Sequence, residues 1–499
     1  MDMKKLLISF LAFSMLFLVA CKKDFLNTDP STAVTESQIF SNYNSVIAAL
    51  NGIYHEQFQF AVGAGGHDDY GQKANDLIMD LMGNDMVVFS QGYGWFNGDY
   101  QMTSLLSATS GSQSYNAWVR YYDMAKQANK IILNADGISD ATQAQKEIIK
   151  GQGYALRAYC YYYLINYFQQ TYKGDESEKG VPVYIKDTTG GKPRGMVQDV
   201  YNQINDDLQQ AATLLTGKSR DSKVNMDISV VRGFQARVAM LENDWTGAAT
   251  FAGQAIQSGY PLMNAATYLS RSAFSTIENS ECMWGSKITA DQATIYASFF
   301  SHMDIATGGY AALGGQKLIT KWLYDQIPVG DVRKQAFKTP GTGTTSDPDY
   351  NQHKFQVPDV SNKWQADYQY MNVPEMYLIK AEALARQGGK DADAISALET
   401  LVKSRYPAYS AQGLTGQALL DEILLQRRIE LWGEGFGLLD IKRLNQGLNR
   451  VTGPGNHGLP YLNPGVFTTS PKDPRFLMRI PQAELDNNTS MTPADQNPQ

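Results

Sequence analysis

The stretch GYALRAYCYYYLINYF, residues 153–168, constrains the fold more than any other part of the chain. Its apolar and aromatic side chains fall on every face of a helix rather than on one stripe. A helix that is hydrophobic all round must be enclosed by other elements. The helical pattern begins near residue 142, and residues 115–134 carry a matching stripe of Trp118, Tyr122, Ala125 and Ile132. One charge interrupts the run. Arg157 sits among Tyr154, Leu156, Tyr159 and Tyr161, and a cation there needs a partner, so the expectation is a structural ion pair.

Further helices are expected over 38–59, 74–82 and 196–215. Two stretches, 230–244 with 245–259 and 376–389 with 391–407, each read as a helix pair joined by a tight turn. Ala236, Ala239, Ala248, Ala249 and Ala255 in the first pair, and Ala381, Ala383, Ala394 and Ala397 in the second, let two backbones approach closely. This pattern resembles tetratricopeptide-type repeats, although the copies are too few and too separated for a plain solenoid. A strong helix over 418–443 should stop near Gly433 to Gly437, and RFLMRIP (475–481) reads as a short strand. By contrast, 60–114 and 260–370 carry glycine, proline and aromatics with little periodicity. The fold class expected is mostly α, a helix-pair scaffold at about 37–59, 115–258 and 374–445. A loop-rich second lobe completes a single domain over 37–499.

The N-terminus places this domain. Lys4 and Lys5 precede an apolar run, and Leu-Val-Ala-Cys closes it at Cys21. This is the three-part form of a secretory signal over 1–20. Its last four residues resemble a bacterial lipobox, in which the cysteine is lipidated; 21–36 would then be a tether. Cys160 and Cys282 are isolated and form neither a disulfide framework nor a metal motif. Net charge is −7 and there is no basic tract, which argues against nucleic acid as a partner.

Six stretches, in order, resemble one family: ACKKDFLNTDP, YALRAYCYYYLINYFQQTY with GVPVY, VRGFQARVAMLENDWTGAATFAGQAI, VPEMYLIKAEALARQG, LLQRRIELWGEGFGLLDIKR, and FLMRIPQAELDNNTSMTPADQNPQ. The chain is similar to SusD/RagB-type outer-membrane lipoproteins of the Bacteroidota. It departs at Gln426 and at Phe436-Gly437, where the family pattern carries more charge, and 260–370 matches no family motif. The resemblance implies a SusD-like fold and a lipid anchor at Cys21 on the outer membrane, facing the cell surface. It further implies capture of an oligo- or polysaccharide for a TonB-dependent, SusC-like transporter.

Sugars present an apolar C–H face and a rim of hydroxyls, which suits flat rings beside amide or carboxylate groups. QGYGWFNGDY places Tyr93 and Trp95 in a loop too rich in glycine to bury both, with Asn97 and Asp99 beside them. Trp284, Tyr296 and Trp322 lie in the irregular middle. These seven residues are the candidate ligand site, expected to be a shallow platform. Peptide binding on the same scaffold stays open, as does a ligand-free structural role. A glycoside hydrolase would need two working carboxylates. Glu430 and Glu434 are spaced for one helix face but are expected to pair with Arg427 and with Lys442 or Arg443. No catalytic residue, cofactor or metal is therefore assigned. His67, Asp68, Asp69, Asp76 and Asp80 could ligate a cation but lack a calcium-loop pattern, and a helix cap or solvated loop is the expectation.

Overall fold

Gln143–Phe168 is one continuous helix, and every residue from Ala155 to Phe168 is buried. Thr142 starts it with a capping box closed by Gln145. The computed structural model describes residues 36–498 apart from 64, 187, 189, 294 and 295. The signal segment, Cys21 and nearly all of the tether lie outside the described residues.

Among the described residues the longer helices are α1 Tyr43–Glu56, α2 Gln72–Leu81, α3 Gln113–Asn134, α4 Gln143–Phe168, α5 Val197–Leu215, α6 Ile228–Leu241, α7 Trp245–Ile256, α8 Val373–Arg386, α9 Asp391–Arg405 and α10 Gly416–Glu430. The strands are β1 Met86–Val88, β2 Cys282–Ser286, β3 Lys317–Ile319 and β4 Tyr368–Asn372. The expected first helix is shorter than its pattern. Asn42 caps α1, accepting from the Ser45 N–H at 3.0 Å, and a separate turn covers Glu36–Ile39.

From α3 to α7 each helix packs on the next, in the helix-pair manner of tetratricopeptide scaffolds. Two glycines inside α4 make its neighbours fit. A Cβ on Gly151 would lie 2.7 Å from Leu215 of α5, and one on Gly153 would lie 3.0 Å from Ile132 of α3. Glycine in mid-helix costs about 1 kcal/mol, which the close approach of apolar faces offsets. Arg157 is the structural residue expected. It binds Asp207 of α5 through two hydrogen bonds of 2.8 and 2.6 Å and Asn129 of α3 at 2.8 Å, tying three helices together.

The scaffold then skips 116 residues: α7 packs directly on α8, and α8 on α9 and α10. Residues 257–372 are thus inserted between consecutive scaffold helices. Antiparallel pairing of β2 with β4, from Cys282↔Asn372 to Ser286↔Tyr368, joins two parts of this insertion just before α8. Antiparallel pairing of β1 with β3 joins the insertion to the irregular segment after α2. The segment 475–481 is not a strand. It holds the 3₁₀ turn Pro474–Phe476, and its backbone N–H groups bond instead to Tyr167 at the end of α4 and to Leu105.

The irregular parts are fixed by buried polar side chains. His457 is 1% exposed, accepts from the Tyr100 hydroxyl through Nδ1 at 2.8 Å and donates from Nε2 to the Asn84 carbonyl at 2.9 Å. Burial, with Arg450 nearby, pushes its pKa down to about 4. The unfolded chain takes up this proton below an ordinary value of about 6.5, whereas the folded chain does so only near 4. Stability from this residue is therefore full above about pH 6.5 and lost as pH falls towards 4. The stability difference between the wild type and His457→Gln should shrink by up to roughly 3 kcal/mol between pH 7 and pH 4. Denaturant melts at both pH values measure it, and a pH-independent difference would exclude this role.

Candidate functional site

The loop that leaves β1 is built to expose two rings and bury a third. Gly92 and Gly94 take positive φ (50° and 88°), where glycine is favoured. The Gly94 N–H closes a turn onto Gln91 O at 2.9 Å. Phe96 anchors the loop at 2% exposure, edge-on to the buried His302 at 4.8 Å. Tyr93 and Trp95 are left on the outer side, Tyr93 at 70% exposure and Trp95 half-buried.

His67 stacks on Trp95 at 5.3 Å and 21°, and lies nearly parallel to Tyr296 at 6.3 Å and 7°. Its Nδ1 is 2.6 Å from the Tyr310 hydroxyl. Tyr310 is the hub: its ring meets Tyr93 at 5.4 Å, Trp95 at 6.2 Å and Tyr296 at 5.4 Å. Beneath it, His302 stacks at 4.8 Å and donates from Nε2 to the His67 carbonyl at 3.0 Å. Phe60 and Trp364 extend the cluster at opposite edges, against His67 and Tyr296 respectively. Gly66 is a close-approach position, since a Cβ there would lie 2.5 Å from the Trp95 ring. The outcome is a broad aromatic face in which two loops, 60–68 and 93–96, meet a third element, the inserted lobe.

Of the seven expected ligand residues, Tyr93, Trp95 and Tyr296 come together on this face. Asn97 sits beside it, but its amide donates to the Gln91 carbonyl at 2.9 Å and braces the loop. Asp99 requires correction as a rim group, because it is 1% exposed and burial drives its carboxyl well above the usual range. Trp284 also requires correction. It is fully buried in β2, donates from Nε1 to the Val224 carbonyl at 3.0 Å, and packs against Tyr159, Phe234 and Tyr370. Trp322 lies elsewhere, under the Arg428 guanidinium at 4.5 Å, on a separate cavity of about 380 Å³. His67, Tyr310 and Phe60 were not among the seven. Tyr310 lies in TGGYAALGG and carries the same signal as Tyr93, an aromatic flanked by glycine.

The carboxylates that could suggest other chemistry are committed to the fold. Glu430 is 2% exposed. Burial alone would raise its pKa, but Arg405 and Arg333 outweigh it and hold the carboxyl at about 2. Arg405, at 2.9 Å, and Arg333, at 3.1 Å, replace the expected partner Arg427. Glu434 pairs with Lys354 at 2.6 Å rather than with Lys442 or Arg443. A glycosidase acid needs a raised pKa and an open cleft, and Glu430 has neither. Asp69 pairs with buried Arg120, Asp76 with Lys73, and Asp80 accepts from the Gly435 and Gly437 N–H groups. These three are buried rather than in a solvated loop, and no cluster of three or more His, Cys, Asp or Glu suited to a metal occurs among the described residues.

Two family models match the chain, one described as SusD-like, starch-binding associating with outer membrane, over residues 24–240, and one as the SusD family over 329–499. The chain belongs to the SusD/RagB family. A solved SusD-like carbohydrate-binding protein from Bacteroides vulgatus is 28% identical, with a TM-score of 0.81 over 92% of this chain and 99% of the other. A SusD superfamily protein from Bacteroides thetaiotaomicron is 20% identical, with a TM-score of 0.77 over 92% and 100%. Surface glycan-binding protein A of the same species, solved with laminarihexaose, is 18% identical, with a TM-score of 0.65 over 91% and 99%. At those lower identities the likeness speaks for the shared SusD fold alone. No curated protein matches the sequence.

Proposed function

We propose that this SusD-family chain is a cell-surface glycan-binding lipoprotein, held on the outer membrane through Cys21, that captures an oligo- or polysaccharide and passes it to a TonB-dependent SusC-like transporter. The observation that carries the binding role is the set of near-parallel rings of Trp95, His67 and Tyr296, joined by Tyr310. The exposed rings of Tyr93 and Tyr296 offer aromatic surface that suits pyranose C–H faces. The solved B. vulgatus relative, named for carbohydrate binding, supports the same reading. Family membership supports the transporter, and the lipobox-like end of the signal segment supports the anchor.

Each stacked ring contributes about 0.5–1.5 kcal/mol beyond its area. Trp95→Ala and Tyr296→Ala should each weaken oligosaccharide binding by at least about threefold. Trp322→Ala should leave it unchanged, because Trp322 faces another cavity. Calorimetry with oligosaccharide panels, and a melt as folding control, measures this. Full affinity in both platform variants would exclude the platform as the site. Binding of peptides rather than sugars would exclude the glycan reading.

A further inference from the structure

Beside the Tyr93 edge of the aromatic face lies an open cleft of about 520 Å³, within the ~300–1,000 Å³ range of small-molecule sites. Phe89, Ser90, Gly314 and Gln316 line one side and the segment 344–346 the other, with Ala312 among the lining residues. Resting on the glycan reading above, we infer that this cleft is a second subsite, which takes an uncharged sugar unit of a chain whose neighbouring unit stacks on the aromatic face.

Three observations support it. The first is continuity. Ser90 and Tyr93 belong to one loop, and the Ser90 hydroxyl donates to the Gly314 carbonyl at 2.6 Å. A Cβ on Gly92 would lie 3.2 Å from Gly315 N, and the Gly315 N–H bonds to the Tyr310 carbonyl at 3.0 Å. The cleft wall at Ser90 and Gly314 is therefore tied through the backbone to the segments that carry Tyr93 and Tyr310. The second is rigidity. Gln316 is 1% exposed and donates from Nε2 to the Ser346 carbonyl at 3.3 Å. The Phe89 N–H donates to the Gln316 carbonyl at 3.0 Å, and the Thr344 N–H to Asp347 O at 2.9 Å. Both walls are thus fixed before a ligand arrives, which lowers the ordering cost of binding. The third is chemistry. The lining offers one ring and the hydroxyls of Thr344, Thr345 and Ser346, and none of its residues is charged. Lys317, close by in sequence, is buried and turns its amine to the Gly315 carbonyl at 2.5 Å. Lys363 lies over Trp364, itself packed on Tyr296 rather than Tyr93. A carboxylate or sulfate on the sugar in the cleft would meet no counter-charge in the lining.

The test uses calorimetry with malto-, cello- and laminari-oligosaccharide ladders of about two to seven units, roughly the span of a two-part site, and oligogalacturonides as the charged ladder. Wild type should gain affinity with length in a neutral ladder, and oligogalacturonides should show no such gain. Ala312→Trp and Thr345→Trp each fill the cleft from a different segment of its lining. Each should remove the length-dependent gain, about tenfold, while leaving the shortest bound oligomer and the melting temperature unchanged. Wild-type affinity at every length in both folded variants would overturn the subsite while the platform stands. A length gain with oligogalacturonides would overturn its neutral character. Binding of none of the neutral ladders would overturn the glycan reading and the subsite with it, and full affinity in both Trp95→Ala and Tyr296→Ala would overturn the platform on which the subsite depends.

Discussion

Glu430→Ala is expected to destabilise the protein by about 3–5 kcal/mol, the range for breaking one side of a buried ion pair. Glu430 ends α10 and accepts from Arg405 Nε at 3.1 Å, Arg405 Nη2 at 2.9 Å and Arg333 Nη1 at 3.1 Å. Arg405 belongs to α9 and also binds Glu281, at 2.7 and 2.9 Å, and the Met263 carbonyl at 3.0 Å. Arg333 also donates to Asp331 at 2.7 Å and to Gln426 Oε1 at 2.7 Å. Both guanidinium groups are at most 1% exposed. Removing the carboxylate leaves two buried cations short of an acceptor where water cannot compensate. Because Glu281 and Arg333 come from the inserted lobe, the same change loosens the lobe from the scaffold. Glu430→Gln keeps one acceptor and should cost less. The effect also has a pH signature. The folded carboxyl titrates at about 2, below its ordinary 4.5, so its stabilisation is full above about pH 4.5 and lost as pH falls towards 2. The gap between wild type and variant should close over that window, and a melt for Glu430→Ala matching the wild type at pH 7 would overturn the argument.

The Glu430 cluster also shows where sequence reading stops. A helix is a local object, and the apolar stripe around Trp118 or the alanines of α6 and α7 announce it without knowledge of neighbours. An ion pair can be local or distant. Spacing along one helix pointed to Arg427, but Arg427 turns to Asp440 at 2.7 Å and the partners of Glu430 lie 25 and 97 residues away. The packing of α7 on α8 is equally hidden, because 257–372 stands between them in sequence. Within the site, glycine flanks marked Tyr93 and Trp95, since such a loop cannot enclose every ring it carries. The same flanks around Tyr310 read only as a loop. His67 read as a possible metal ligand, because nothing local tells that three rings from distant segments will surround it. Asp99 and Trp284 failed for one reason: short elements carry too little pattern to show which face is buried.

Trp284→Ala should cost about 3–5 kcal/mol, the range for emptying a large buried aromatic site, and should act on folding rather than on ligand binding. Trp284 is fully buried, edge-on to Tyr159 of α4 at 5.4 Å and to Phe234 of α6 at 5.9 Å, and tilted on Tyr370 of β4 at 5.1 Å. It therefore fills the seam where the inserted lobe meets the scaffold, and deletion leaves a cavity lined by residues of both. The surroundings cannot collapse freely. Gly233 of α6 already presses on Met371, where a Cβ would lie 2.3 Å from the sulfur, and β2 is held to β4 by its ladder. The loss of Nε1 adds a second cost, since the Val224 carbonyl gives up its 3.0 Å partner. Trp284→Phe separates the two terms: it keeps much of the volume, loses the hydrogen bond, and should fall between wild type and alanine. Tyr93→Ala supplies the contrast, because Tyr93 is 70% exposed and its removal should shift the melting temperature little. Thermal and denaturant melts of the three variants decide the matter. A Trp284→Ala protein that melts like the wild type yet loses oligosaccharide binding would return Trp284 to the ligand surface and overturn its place in the core.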